Sequence, residues 1–411
     1  MLQRKIFISL ILILVSFNVN SQTKSWLHIE GNLIKDTAGN LVTLRGVSII
    51  APEYATSNPI NPITPAEYIA WLADSTRGWY SRIVRIPVCG LNLTPAAAYN
   101  FINPLVQQAI NLGLYVIIDF HNVTDYGNGG TSQRTVLNFW NYFAPKYADS
   151  SNVFFEVYNE PVKPADWNQW KSFIQPVVNA IRAVAPRNII LMGSPQWSTY
   201  CNYAISNPIS GVNIVYVYHI YPNQGAPTSS LLDSKFGNAA NSIPVMITEF
   251  GWNQSADYSD AITYGKTSNW GVPFRTYMDA HPTISWVNWV FDNYWEPSIF
   301  DENWSLMSYE DQGEFIKGWL ADLNKVTTTG VETACSSAYQ LMVYAIDGKI
   351  SVSLVGLCRV DLYSITGKLL ASVNAKGNTI ELNASLAKGI YIVRAYNTTG
   401  LAITKKLLII N

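Results

Sequence analysis

Two glutamates stand where apolar runs stop. One follows Val153–Tyr158, in Tyr158-Asn159-Glu160-Pro161. The other follows Pro244–Thr248, in Thr248-Glu249-Phe250-Gly251-Trp252. They lie 89 residues apart, which suits three strand–helix units of roughly 30 residues each. If the two runs are opposing strands of one parallel barrel, both carboxyls sit at its C-terminal mouth and face each other. A facing carboxyl pair is what glycoside hydrolysis needs. One acid protonates the leaving oxygen, and one carboxylate attacks the anomeric carbon. A lone strand-end glutamate would read as half of a surface ion pair. Here each one closes an apolar run, and basic residues are scarce nearby.

The elements that would position this pair are legible as a repeat. Apolar or β-branched runs fall at Leu41–Ile49, Arg82–Val88, Leu114–Phe120, Val153–Tyr158, Asn188–Met192, Val212–Tyr218, Pro244–Thr248 and Ile284–Val290. Their spacing of roughly 34 residues fits one strand–loop–helix unit in a barrel of ~250 residues or more. Most are continuously apolar, as parallel strands buried on both faces must be. Helical patterns lie between them. One begins at Thr64-Pro65 with Tyr68, Ile69, Trp71 and Leu72 on an apolar stripe. Others run over Tyr99–Leu112 before Gly113, Trp167–Val184 before Pro186, and Glu310–Leu323. A hairpin starting at Trp26 and turning through Asp36-Thr37-Ala38-Gly39-Asn40 could plug the bottom of the barrel. The expected fold class is therefore α/β, a (β/α)8 TIM barrel.

Six short motifs follow one another in or at the ends of these strands. They are Ile83-Val84-Arg85-Ile86-Pro87, Ile118-Asp119-Phe120-His121, Asn159-Glu160-Pro161, His219-Ile220-Tyr221, Glu249-Phe250-Gly251 and Ser285-Trp286-Val287-Asn288-Trp289. In this order they make residues 26–323 resemble glycoside hydrolase family 5, the cellulase-like members of a clan of retaining glycosidases. The resemblance implies a retaining, endo-acting β-glycanase that works through a glycosyl-enzyme ester. Glu160 would be the acid/base and Glu249 the nucleophile. β-1,4-Glucan is the first expectation for the substrate, with mannan, xyloglucan or another β-glycan as the alternative within the family. A non-catalytic glycan-binding barrel is the alternative outside it.

The residue chemistry agrees with those roles. Arg85 can donate to Glu249 and hold it ionised. Asn159 can bind a sugar 2-hydroxyl. Tyr221 can donate to Glu249, and His121 and His219 can orient hydroxyls or tune Glu160. Trp289 could offer a sugar ring an apolar platform, whereas Trp286 points to the opposite face and belongs to the core. Asp119 sits deeper in its strand than His121 and is expected to be structural. Aromatics in the predicted top loops, namely Tyr54, Tyr126, Trp197, Trp252, Tyr294 and Trp295, suit a polysaccharide cleft. Trp197, Trp252 and Trp295 are the candidate subsites.

After Lys325 the texture changes. A polar linker is expected over 326–335. Over 336–411 seven short strand signals, separated by turns, suggest a small β-sandwich. Val360-Asp361-Leu362-Tyr363-Ser364-Ile365-Thr366-Gly367-Lys368, Leu386-Ala387-Lys388-Gly389-Ile390-Tyr391-Ile392-Val393 and the late Lys405-Lys406 resemble the C-terminal sorting domain of type IX secretion. The resemblance implies that secretion machinery as a partner. A carbohydrate-binding module is the competing reading, but no Trp follows Trp319.

Composition narrows the rest. The 411 residues carry 27 Lys+Arg against 28 Asp+Glu, a balance that argues against nucleic acid or a membrane surface as partner. Four histidines and four cysteines without ligand spacing lead us to expect neither metal nor cofactor. Cys335 and Cys358 could pair. Arg4 and Lys5, followed by the apolar run Ile6–Phe17 and small residues before Gln22, read as a signal peptide over 1–21. That run is shorter than the ~20 apolar residues of a spanning helix. The expected destination is outside the cell or on its surface.

Overall fold

The computed structural model describes residues 24–55, 63–89, 93–254, 262–307 and 310–324. It also describes 342–409, apart from the turns at 347–348, 355–356, 365–367, 376–378, 384–386, 388 and 399–401. The expected signal peptide, the linker over 326–335 and Cys335 lie outside the described residues. The chain divides into two compact units, with the boundary between Thr327 and Thr328.

The first unit is a closed barrel of eight parallel strands. In order they are Arg45–Ile49, Ile83–Val88, Tyr115–Phe120, Val153–Glu156, Ile190–Met192, Ile214–Ile220, Val245–Phe250 and Ser285–Phe291. Each coincides with one of the eight apolar runs. The helix Trp167–Val184 falls where its pattern placed it, and Asp166 caps it by accepting from the Gln169 N–H. The helix expected over Tyr99–Leu112 starts earlier, at Pro95, with Thr94 as its cap. Thr94-Pro95 repeats the Thr64-Pro65 signal, where Thr64 and Glu67 form a capping box.

Alternation along the strands sorts the barrel interior into layers. The lowest is apolar and includes Ile83, Ile117, Phe154, Leu191, Val217, Met246 and Val287. The antiparallel hairpin of Leu27–Glu30 and Leu33–Asp36 closes it from below, packing Leu27 and Ile34 into the same cluster. Two residues further along a strand, the side chain again points inward. These next positions are Arg85, Asp119, Glu156, His219, Thr248 and Trp289. The fold thus stacks a charged layer on an apolar floor, directly beneath the mouth.

Among its described residues the second unit holds seven strands in two antiparallel sheets. One is Met342–Ile346, Lys349–Ser353 and Thr379–Asn383. The other is Leu369–Asn374, Leu357–Ser364, Gly389–Asn397 and Ala402–Ile409. Ile350, Val352 and Leu382 of the first share one core with Val360, Leu362 and Val393 of the second. This is a small β domain with a core of its own.

Candidate active site

Arg85 is fully buried and organises the charged layer. Nε bonds Glu156 Oε2 at 2.5 Å, Nη1 bonds Glu249 Oε1 at 2.8 Å, and Nη2 reaches Asp119 Oδ2 at 2.9 Å. Nη2 also donates to Asn159 Oδ1. That bond uses the amide oxygen of Asn159 and leaves its NH2 group for another partner. One guanidinium is shared among three carboxylates, so they divide unequally. Burial favours the neutral form of Glu156, yet Arg85 and His219 hold it down to about 2. Burial pushes Asp119 up to about 6, with Arg85 opposing and Glu156 adding repulsion.

Glu249 ends the seventh strand with both oxygens engaged. Oε1 accepts from Arg85, and Oε2 accepts from the Tyr221 hydroxyl at 2.9 Å. Burial works against its charge, but His219, Arg85 and His121 outweigh it and hold the carboxyl below the usual range. Burial and the charge on Glu249 push the Tyr221 phenol well up, so it stays a donor.

Glu160 lies just past the fourth strand, in the two-residue strand Glu160–Pro161 that pairs with Val123–Thr124, and its Oε1 lies 2.7 Å from His219 Nδ1. On the other side of that ring, Nε2 lies 2.9 Å from Thr248 Oγ1. Thr248 has a single hydroxyl proton, and it goes to Glu156 Oε1 at 2.7 Å. The hydroxyl can therefore only accept from the ring, and His219 Nε2 must carry a proton. Burial disfavours charge on His219, yet Glu249, Glu156 and Glu160 together push it up to about 10. The imidazolium so held donates Nδ1–H to Glu160. His121 bonds Asp119 Oδ2 through Nδ1 at 2.7 Å and stacks on Trp289, the centroids 5.5 Å apart and the planes 3° off parallel.

An oxygen of Glu160, a ring nitrogen of His219 and an oxygen of Glu249 all lie within 4.8 Å of one another. Among the described residues this is the one cluster with metal-ligand spacing. Its nitrogen is Nδ1 or Nε2 of a protonated ring, which has no free lone pair for an ion.

The structure brings Arg85, His121, Asn159, Glu160, His219, Tyr221, Glu249 and Trp289 together at the barrel mouth. All of these except the buried Arg85 line one cavity of about 880 Å³. Trp197, 46% exposed, and Trp295, 44% exposed, line it as well. Trp252 does not. It is 0% exposed, donates from Nε1 to Thr267 Oγ1, and packs against Trp270 and Phe315. The chain turns it back under the helices, so it is core and no subsite. Tyr126 is likewise buried, with its hydroxyl on the carbonyls of Pro164 and Asp166.

Trp197 is presented by backbone in an unusual state. Gln196, Trp197 and Ser198 all have positive φ, 58°, 57° and 55°. Hydrogen bonds pin the turn to the strand end that carries Glu160: Gln196 N–H to Val162 O, and Ser198 Oγ to Asn159 O. Three residues in left-handed conformations cost free energy that these bonds and the packing must offset.

Sequence reading missed Glu156 and Thr248 and assigned Asp119 a purely structural part. All three touch Arg85, His121 or His219. The signal for Glu156 was there: a carboxylate inside Val153-Phe154-Phe155-Glu156 cannot be buried without a cationic partner, and Arg85 interrupts its own strand in the same way.

Residues 36–294 match the family model for cellulase, glycosyl hydrolase family 5, and residues 345–410 match that of the secretion system C-terminal sorting domain. The chain belongs to glycosyl hydrolase family 5. An endoglucanase from Clostridium saccharobutylicum is 28% identical over 319 residues, covering 75% of this chain and 67% of that protein. Endoglucanase Z of Dickeya dadantii is 30% identical over 264 residues, covering 63% and 55%. The chain therefore spans between half and two thirds of the length of these curated relatives. A β-glucanase of Saccharophagus degradans, solved in complex with cellotetraose, superposes with a TM-score of 0.66 at 26% identity. The match covers 75% of this chain and 97% of that one. The sorting domain marks a secreted or cell-surface protein. Among the described residues no helix is long and apolar enough to cross a membrane.

Proposed function

We propose that this chain is a retaining endo-β-1,4-glucanase. The observation that carries the reading is Glu249. It is an ionised carboxylate bonded on both oxygens and aimed into the cavity, with an oxygen within 4.8 Å of one on Glu160. Retaining pairs stand about 5–5.5 Å apart, whereas inverting pairs need ~6.5 Å or more to admit a water. Glu249 attacks the anomeric carbon as the glycosidic C–O bond breaks, and Glu160 gives its proton to the departing oxygen. Water then attacks the ester, Glu160 takes the water's proton, and Glu249 leaves as a carboxylate. The freed NH2 of Asn159 is placed to bind the 2-hydroxyl, a contact that strengthens in the transition state. His219, protonated on both nitrogens, orients Glu160 through the Nδ1–H it donates to Oε1. Trp289, Trp197 and Trp295 offer apolar faces to successive sugars. The names of the relatives and the cellotetraose bound to the S. degradans enzyme favour β-1,4-glucan.

Hydrolysis of cellulose, mixed-linkage β-glucan, mannan, xylan and xyloglucan, with product sizing, tests the reading. It expects rapid shortening of β-1,4-glucan into mixed oligosaccharides. Preferential release from mannan or xyloglucan would move the substrate within the family, and activity on none would contradict the enzyme reading. For export we propose that residues 1–21 direct passage into the periplasm and that the C-terminal domain engages type IX secretion machinery.

A further inference from the structure

We propose that Tyr200 and Tyr203 form a distal binding site for the leaving-group end of a linear neutral glycan. The proposal rests on the glucanase reading and extends its cleft. Past Trp197 the chain enters a short 3-10 helix, Cys201–Ile205, with Tyr200 at its cap. Side chains three residues apart eclipse in such a helix, and the two tyrosine rings accordingly lie 4.9 Å apart. Trp197, Tyr200 and Tyr203 thus recur every third residue, leading outward from the cleft. Both tyrosines line the catalytic cavity, and both also line a second hollow of about 430 Å³ beside it. They are the shared wall.

Tyr203 is 53% exposed, which is unusual for a ring so well supported. Its support is the buried Trp167, stacked at 6.5 Å and 17°, whose Nε1 donates to Asn207 O. The platform is therefore held in place before any ligand arrives. The rim is polar. Asn168, Ser206 and Asn207 line the hollow with Asp166, whose carboxylate accepts from the Gln169 N–H, and the Asn207 amide is held between Asn168 Oδ1 and the Lys171 ammonium. An aromatic wall with a rim of amides, a hydroxyl and a carboxylate suits a pyranose, which has an apolar C–H face and an equatorial belt of hydroxyls. The Asp166 carboxylate would repel a phosphate. The side is set by the turn at 195–198, pinned to the strand end that carries Glu160, the residue that meets the leaving oxygen.

The test is kcat/KM for cello-oligosaccharides of increasing length, measured beside an aryl cellobioside too short to reach the platform. In Tyr203→Ala the preference for the longest chain over the aryl cellobioside should fall about three- to tenfold, the worth of one aromatic contact. Activity on the aryl cellobioside and the unfolding temperature should stay as in wild type, and Tyr203→Phe should keep the length preference. A Tyr203→Ala profile superimposable on wild type would overturn this proposal alone, as would an equal loss on short and long substrates. No wild-type hydrolysis of any cello-oligosaccharide would overturn the glucanase reading and this proposal with it.

Discussion

At the scale of single residues, the site works by giving each proton one place to be. Glu249 has no proton because Arg85 and Tyr221 occupy both its oxygens. Glu249→Gln should abolish turnover and leave glycan binding largely intact, measured by hydrolysis and by retention on insoluble glucan. Glu160→Gln should lose ~10²–10⁴-fold on glucan, yet keep much of its rate on aryl glycosides whose leaving group needs no proton. Thr248 acts at one remove, by accepting from His219 Nε2 and so holding the ring whose Nδ1–H donates to Glu160. Thr248→Val removes a hydrogen bond to a charged group, worth about 1.5–3 kcal/mol. It should slow glucan hydrolysis more than aryl glycoside hydrolysis, and Thr248→Ser should restore both. A merely structural role would slow the two substrates equally. His219 also links stability to pH. Its pKa is about 10 in the fold against an ordinary 6.5. The stabilisation is therefore complete below about 6.5 and is lost as pH rises through about 10. Unfolding temperatures across that window should fall in wild type, and His219→Asn should lack that part of the fall.

At the scale of elements, the eight strands were legible because parallel strands buried on both faces leave uninterrupted apolar runs. The inward layer was harder to read for the same reason. When both faces are buried, alternation no longer separates inside from outside, so Glu156 and Thr248 read as parts of their runs. Trp252 was misread because a strand-end loop that folds back under the helices looks, in sequence, like one that lines the mouth. Close backbone approaches are equally invisible. A Cβ on Gly193 would stand 2.1 Å from Tyr158 O and 3.1 Å from Asn159 O. Gly193→Ala must therefore push the strand end that carries Glu160. We expect about 1–3 kcal/mol of lost stability, the usual cost of overpacking, together with a disproportionate loss of kcat. An unfolding curve and a kcat measurement on the same preparation check this.

At the scale of the whole molecule, each unit has its own core, so the two should be separable. Deleting residues 336–411 should leave the barrel folded and active, because the last barrel helix, Gln312–Asn324, precedes the cut. In the native host the same deletion should retain the enzyme within the cell envelope. A truncated protein that is exported but binds insoluble glycan poorly would make the tail a binding module. A truncated protein that does not fold would move the boundary. The tail's seven strands were legible from their turns, and its likeness to a sorting domain from three short motifs. The polysaccharide was legible only through the family resemblance, because the orientation of the loop aromatics is decided by the fold.

The central claim is that Glu249 becomes covalently bonded to the sugar. Incubation with an activated 2-deoxy-2-fluoro cellobioside, which slows hydrolysis of the ester, followed by peptide mass mapping, tests it most directly. One added fluorocellobiosyl group is expected, on the peptide containing Glu249 and on that residue. A label on Glu160 or elsewhere, or an enzyme that turns over glucan without ever taking the label, would contradict it.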